Sequence, residues 1–247
     1  MRLPFRISER GPAAGRGLVS LLAALVLGGL VSCRTTPPDA GPVTPPDGAT
    51  RLFDRAPEVR KRDGTASGWK LDDGVLTVTP GDGDAVSAQE LGDGRLHVEF
   101  NLPRSGQVRA SSGVYLMGRW KVQVLDCWEN ETYDDGTCGA LYGLVAPATV
   151  APKRPEHWQT YDIDFRAPRA DASGLVTTAG RITVVHNGTT IIDDASFDRT
   201  TKGGIDETIV SRGPVVLQDR GSTVRYRNLW FVPALTTTGA PRPSSGR

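Results

Sequence analysis

The sequence predicts an all-β protein built as an antiparallel two-sheet β-sandwich. Three observations carry that expectation. Between Leu52 and Ala234 apolar residues mostly alternate with polar ones, the period of a strand with one buried face. The alternating runs are short and are broken by glycine, proline or aspartate, and 29 glycines and 18 prolines in 247 residues favour turns over long helices. No stretch of helical length repeats at 3.6 residues, and no repeat of fixed length occurs. The length suits one large all-β domain with appendages and a real core.

The strand runs follow in chain order. Residues 74–78 form one run, and Leu96-His97-Val98-Glu99-Phe100 forms another, with Leu96, Val98 and Phe100 on one face and His97 and Glu99 on the other. Residues 113–117 and 120–125 read as a pair joined by a tight turn at Gly118-Arg119, because glycine accepts positive φ. Further runs cover residues 158–165, 181–186, 190–192, 215–218 and 224–232. Asn187-Gly188 between two of them is a type I′ hairpin signal. Residues 167–179 and 198–213 are polar, contain glycine and lack a period, so they read as longer loops, either functional or simple insertions.

The N-terminus reads as an export signal. Arg2, Arg6, Arg10 and Arg16 precede an uncharged apolar run over residues 18–30, too short for a comfortable membrane span. Leu30-Val31-Ser32-Cys33 is similar to a bacterial lipobox, so the expectation is a signal peptide over 1–32 and a lipidated Cys33. Residues 33–50 are proline-rich with little to bury and read as a tether, 51–234 as the domain, and 235–247 as a disordered tail. Arg34 is not the aspartate associated with inner-membrane retention. The expected location is therefore the bacterial cell envelope, anchored by lipid in the outer membrane and facing the periplasm or the surface.

Charge excludes one class of partner. Lysine plus arginine total 29 against 28 for aspartate plus glutamate, without a basic stripe, so a nucleic-acid-binding surface is not expected. In an oxidising compartment Cys127 and Cys138 are candidates for a disulfide, with two unbonded thiols as the alternative. Neither CxxC nor HxxxH spacing accompanies them, so no zinc site is expected. Asp126, Glu129, Glu131, Asp134 and Asp135 crowd the same loop and could supply a base or oxygen ligands for a divalent metal, although they match no EF-hand. No cofactor is required by any motif.

An ordered set of segments carries a resemblance. Ser112-Gly113-Val114-Tyr115-Leu116, Trp120-Lys121-Val122-Gln123-Val124-Leu125-Asp126, Cys138-Gly139-Ala140-Leu141-Tyr142-Gly143, Trp158-Gln159-Thr160-Tyr161, His186-Asn187-Gly188, Leu217-Gln218-Asp219 and Val224-Arg225-Tyr226-Arg227-Asn228-Leu229-Trp230 together resemble the 3-keto-disaccharide hydrolase domain family over about residues 52–233. The resemblance implies a concanavalin-like jelly roll and a chemistry on glycosides oxidised at C3. The ketone acidifies the C2 proton, a base removes it, a donor stabilises the enolate, the C1 leaving group departs and water adds. A sugar-oxidising partner enzyme would then supply the ketone. Three positions depart from the family pattern: Ser111 in place of asparagine, Lys121 in place of glutamate and Arg220 in place of histidine. Lysine cannot serve as a base at neutral pH without a large pKa depression.

Within this frame Asp126, at the end of a strand, and His157, at the start of another, are the candidate catalytic bases. Strand alternation puts Lys121 and Gln123 on one face, with Gln218 opening onto the same surface. Paired amides suit sugar hydroxyls because each offers donor and acceptor. Tyr115, Trp128 and Trp158 are candidates for stacking on a sugar ring, as is Tyr142, against the alternative of core packing. Arg220 and Arg227 are candidate ligand donors, Arg227 alternatively an ion-pair partner. His97, on the polar side of its strand, reads as structural or surface, and His186 as structural. The expected ligand is a carbohydrate, and the readings left open are a 3-keto-glycoside hydrolase or lyase, a non-catalytic carbohydrate-binding lipoprotein, and an envelope spacer. Intact-mass analysis of the exported protein is expected to show a chain that starts at an acylated Cys33; an unmodified Cys33 would refute the anchor.

Overall fold

The structure, a computed structural model, describes residues 41–55, 59–106, 108–130 and 132–234. The signal segment, Cys33, the first part of the tether, Glu131 and the C-terminal tail lie outside the described residues. Fourteen strands and no helix occur among those described. An eight-stranded sheet contains β12 (Thr189–Phe197), β11 (Gly180–His186), β8 (Trp158–Arg166), β5 (Gly94–Asn101), β14 (Arg225–Pro233), β3 (Val75–Thr77) and β2 (Lys70–Asp72) in that order, with β1 (Thr50–Leu52) also paired to β14. A four-stranded sheet runs β4 (Ala85–Leu91), β13 (Gly213–Leu217), β6 (Ser111–Leu116), β7 (Trp120–Leu125). All pairings are antiparallel, and the two sheets close on one core as a jelly-roll sandwich.

Alternation explains the core. Leu96, Val98 and Phe100 of β5, Tyr161, Ile163 and Phe165 of β8, and Ile182 and Val184 of β11 face Val114 and Leu116 of β6, Trp120, Val122 and Val124 of β7, and Val215 and Leu217 of β13. Trp120 packs against Phe165 and Phe197 at 5.3 and 6.3 Å between centroids. Two tyrosines carry polar tips across this apolar interior. Tyr161 donates to the Gln123 carbonyl at 3.0 Å, and Tyr226 donates to Ser112 Oγ at 2.6 Å, which in turn donates to the Gln218 carbonyl at 2.5 Å. Both tie the large sheet to the backbone of the small one beside Gln123 and Gln218.

The hairpins set the register. Asn187 and Gly188 take φ of 49° and 82° between His186 and Thr189, the expected type I′ turn. The β6–β7 turn lies one residue earlier than Gly118-Arg119: Met117 and Gly118 hold φ of 48° and 70°, and the Arg119 amide donates to the Leu116 carbonyl. The positive φ favours glycine at 118, and a Cβ there would also lie 2.4 Å from the Cδ1 end of Ile205, which would have to shift.

Other expectations require correction. Residues 167–179 are not simply a loop, because β9 (Arg169–Ala170) and β10 (Val176–Thr178) form a small two-stranded sheet. Strands β1, β2 and β4 were not expected from the alternating runs; β1 and β2 are three residues each and too short to show a period. His97 is not at the surface: it and Glu99, on the same face of β5, are both buried. Val43, within the stretch expected to be a free tether, is hydrogen-bonded to the domain through Glu99 and Asn228. The expected disulfide is absent: Cys127 and Cys138 are two buried thiols, with the Cys138 amide donating to Cys127 Sγ at 3.1 Å and Thr137 Oγ1 at 3.3 Å from the same sulfur. These hydrogen bonds occupy the Cys127 sulfur; Cys138's hydrogen bond lowers the Cys127 thiol and, with burial, raises its own.

Tyr226→Phe is expected to cost about 1–2 kcal/mol, because Ser112 Oγ loses its buried donor partner. Thermal unfolding is the check, with a fall of roughly 2–8 °C expected.

Candidate functional site

The outward face of the small sheet gathers five of the candidates. Register pairs Gly113 with Gln123 and Tyr115 with Lys121 across β6 and β7, all opposite the core positions Val114, Val122 and Val124. Gln218, just after β13, donates through Nε2 to the Tyr115 hydroxyl at 3.2 Å. The stem of Lys121 crosses directly over Gly113, where a Cβ would lie 2.6 Å from Lys121 Cδ and 3.1 Å from Gln218 Oε1. Lys121 is 5% exposed, and its Nζ stands 3.4 Å from the Tyr142 ring centroid and 5.9 Å from that of Tyr115. No acidic side chain ion-pairs with Lys121 among the described residues. Among the described residues, the side-chain oxygens of Gln123 and Gln218 are buried without a hydrogen-bond partner.

Loops complete the site with residues the sequence reading missed. Arg62 lies 5.6 Å over the Tyr115 ring, donates to the carbonyls of Gly203 and Gly204, and pairs with Asp84 at 2.7 Å. Asp84 also accepts the Asp219 amide at 2.8 Å. The loop over residues 198–212 folds onto β6 and β7: Thr201 Oγ1 accepts the Lys121 amide, and the Tyr115 hydroxyl donates to the Lys202 carbonyl. Neither Arg62 nor Asp84 sits in an alternating run, so only their spatial contacts reveal them. Cavities of about 730 Å³, lined by Tyr142, Thr201 and Lys202 among others, and about 490 Å³, lined by Arg62, Asp84, Gly203 and Gln218 among others, flank the cluster.

This setting changes the acids and bases. Burial, then the nearby charge of Arg220, lowers the Lys121 amine to about 8 despite the opposing effect of Asp84. Burial raises the Tyr115 hydroxyl to about 12, so it stays protonated.

Other candidates fall elsewhere. Asp126 accepts the Trp128 amide at 3.1 Å, capping the loop after β7. Trp128 lies under Arg154 at 5.3 Å, and His157 Nδ1 is 3.3 Å from the Pro155 carbonyl. Within the acidic loop, Asp134 accepts the Gly136 amide. No group of three or more His, Cys, Asp or Glu poised for a metal occurs among the described residues. His186 is buried against Gln159 Oε1 at 3.0 Å, and burial lowers it to about 3, which keeps it neutral.

Trp158 and Arg227 belong to the opposite outer face of the sandwich. On β14, Arg225 and Arg227 alternate with the core residue Tyr226, and the Arg227 guanidinium lies 4.0 Å over Trp158. Arg227 Nε donates to Glu99 Oε2 at 2.7 Å, while Glu99 Oε1 accepts from Asn228 and from the Val43 amide, each at 2.8 Å. His97 stacks on Trp230 at 4.7 Å and bonds Asp162 through Nδ1 at 2.8 Å. Burial alone would raise Glu99, but bonds from His97, Asn228, Val43 and Arg227 outweigh it and hold the carboxyl at about 2. For His97 burial opposes the charged form, and the two carboxylates beside it raise its pKa overall.

A jelly roll with a polar, aromatic-walled surface on its smaller sheet defines the class. The model of the 3-keto-alpha-glucoside-1,2-lyase-like domain matches residues 48–232, and the chain belongs to that family. A crystal structure from Parabacteroides distasonis ATCC 8503, of a protein provisionally assigned as a glycosyl hydrolase, is 32% identical with a TM-score of 0.70, covering 77% of this chain and 86% of that one. Another from the same organism, with the same provisional assignment, is 17% identical with a TM-score of 0.52, covering 72% of this chain and 89% of that one, and shares the fold. Among curated proteins, none matches the chain at a significant level.

The Glu99 network has a pH signature. Because its carboxyl is depressed to about 2 against roughly 4.3 when unfolded, its stabilisation is present above pH 4 and lost as pH falls towards 2. Glu99→Gln is expected to cost about 3 kcal/mol at pH 7 and to flatten that acid loss, read from denaturant unfolding at pH 7 and pH 3.

Proposed function

We propose that this protein is a hydrolase or lyase of 3-keto-glycosides, seating its sugar over the outward face of β6, β7 and β13. Family membership and the 32%-identical relative support a carbohydrate-related hydrolase or binding role. The observation that carries the reading to this site is the pair of buried, unpartnered amide oxygens of Gln123 and Gln218 beside a lysine walled by two tyrosines. Unpaired acceptors of this kind are costly unless a ligand supplies donors, and sugar hydroxyls are such donors.

In this reading Lys121, beside Arg220, stabilises the electron pair left on the sugar when the C2 proton leaves. Asp84 is the carboxylate whose charge acts on both Lys121 and Tyr115, and it is assigned here as proton acceptor in place of Asp126 and His157. Tyr142 and Tyr115 offer ring faces to the sugar. A sugar-oxidising enzyme must supply the ketone. The lipobox-like segment and basic leader support placement at the cell envelope, anchored at Cys33 in the outer membrane. A second reading, a non-catalytic carbohydrate-binding lipoprotein, is favoured by one observation: Asp126 and His157 are engaged outside the Lys121 cluster.

The test is incubation of the chain with 3-keto disaccharides and their unoxidised parents, with and without chelator, followed by product chromatography. Cleavage of the keto forms alone is expected, with Asp84→Asn lowering turnover at least about 100-fold while binding persists. Saturable binding without cleavage would favour the binding reading, and loss of cleavage in the chelator arm would establish a divalent metal requirement.

A further inference from the structure

We propose that Lys121 acts covalently, its Nζ condensing with the C3 ketone of the sugar to form an iminium before the C1 bond breaks. This deepens the reading of the site as a 3-keto-glycoside pocket and rests on it. The geometry is that of an amine held for nucleophilic use. Lys121 is 5% exposed, its stem is confined over Gly113, and its Nζ faces the rings of Tyr142 and Tyr115. A lysine kept for charge alone is ordinarily paired with a carboxylate. Here no acidic side chain ion-pairs with Lys121 among the described residues, and Asp84, oriented by Arg62 at 2.7 Å and by the Asp219 amide at 2.8 Å, keeps a second lone pair on each oxygen for the C2 proton.

A second cation, Arg220, stands near enough to disfavour the ammonium form. Desolvation together with a neighbouring cation is the arrangement that activates a lysine toward carbonyls. The lowered amine leaves a minor neutral fraction near neutral pH to attack a ketone delivered to the site. None of Lys61, Lys70, Lys153 or Lys202 combines burial with an aromatic wall. Lys61 pairs with Asp82, and Lys153 donates to the Trp158 carbonyl.

The chemistry balances without an oxidant or reductant. The Nζ lone pair attacks C3, and the C3 oxygen leaves as water after taking two protons. The iminium draws the C2–H electron pair into a C2–C3 double bond as Asp84 takes the proton. That enamine expels the C1 oxygen, which departs with its bonding pair and receives a proton, leaving a C1–C2 double bond conjugated to the iminium. One water then hydrolyses the iminium and frees Lys121, and another adds across C1–C2. Compared with an enolate, the iminium route puts the electron sink on the protein, where Tyr142 and Tyr115 can stabilise its positive charge through their ring faces.

The experiment combines trapping with substitution in the full chain. Incubation with a 3-keto disaccharide and sodium cyanoborohydride is expected to add one sugar to Lys121, seen by intact mass and peptide mapping, with activity lost in proportion. In parallel, 2,4-pentanedione is expected to form its absorbing enaminone at Lys121 ahead of the other lysines, with a pH midpoint near 8. Lys121→Arg, which keeps the charge and cannot form the iminium, is expected to lower turnover at least about 1000-fold, with folding checked by thermal melting.

Cleavage by the wild-type chain without an adduct, together with a Lys121→Arg variant within about tenfold of wild type, would overturn the covalent role and leave the proposed function standing. Preferential pentanedione labelling of other lysines would overturn it even if the Arg variant failed to fold. Absence of both cleavage and adduct would overturn the covalent role and the 3-keto-glycoside reading together.

Discussion

The β6–β7 register is the constraint on which the site depends. A turn with two residues at positive φ, Met117 and Gly118, fixes Tyr115 opposite Lys121 and Gly113 opposite Gln123. A slip of one residue would send Lys121 and Gln123 into the core and Val122 and Val124 outward, because strand side chains alternate strictly. The loop over residues 198–212 then locks the turn from outside, with the Ile205 amide bonded to the Gly118 carbonyl and Thr201 bridging the Lys121 amide to the Arg119 carbonyl. The same loop therefore holds the hairpin and walls the cluster.

The sandwich places polar chemistry on both of its outer faces, with different consequences. On the small sheet, among the described residues, Lys121 has no carboxylate partner and two amide oxygens lack hydrogen-bond partners, an arrangement that costs stability and that a ligand would complete. On the large sheet, Glu99 accepts from Arg227, Asn228 and Val43, and Arg227 also covers Trp158. That network uses its charges internally. It fastens the segment leading into the domain, and this is why Val43 is held rather than free.

Much of the fold was legible because a half-buried strand prints its period on the sequence. The runs around Val114, Val122, Ile163 and Val184 alternate cleanly, and Asn187-Gly188 announces its turn through the residues that tolerate positive φ. Legibility failed where a strand is buried on both faces or too short to show a period. His97 and Glu99 alternate onto the polar side of β5, a pattern that ordinarily faces water, yet here the charges are neutralised by Asp162 and Arg227. Lys121, Gln123 and Gln218 were legible as one surface from alternation, whereas Arg227 and Trp158 were indistinguishable from them until the sheet order put β14 and β8 in the other layer.

The sequence by itself determined the all-β class, the main hairpins, the inward and outward sets of β6 and β7, and the family resemblance that its ordered motifs carry. These are local properties, set by period two and by which residues accept positive φ. Only the tertiary structure decided that Arg62 and Asp84 join Lys121, that Asp126 caps its own loop, and that Cys127 and Cys138 remain thiols. Each of those outcomes depends on contacts between segments or on side-chain directions within loops, where no period constrains the chain and packing alone selects the partner.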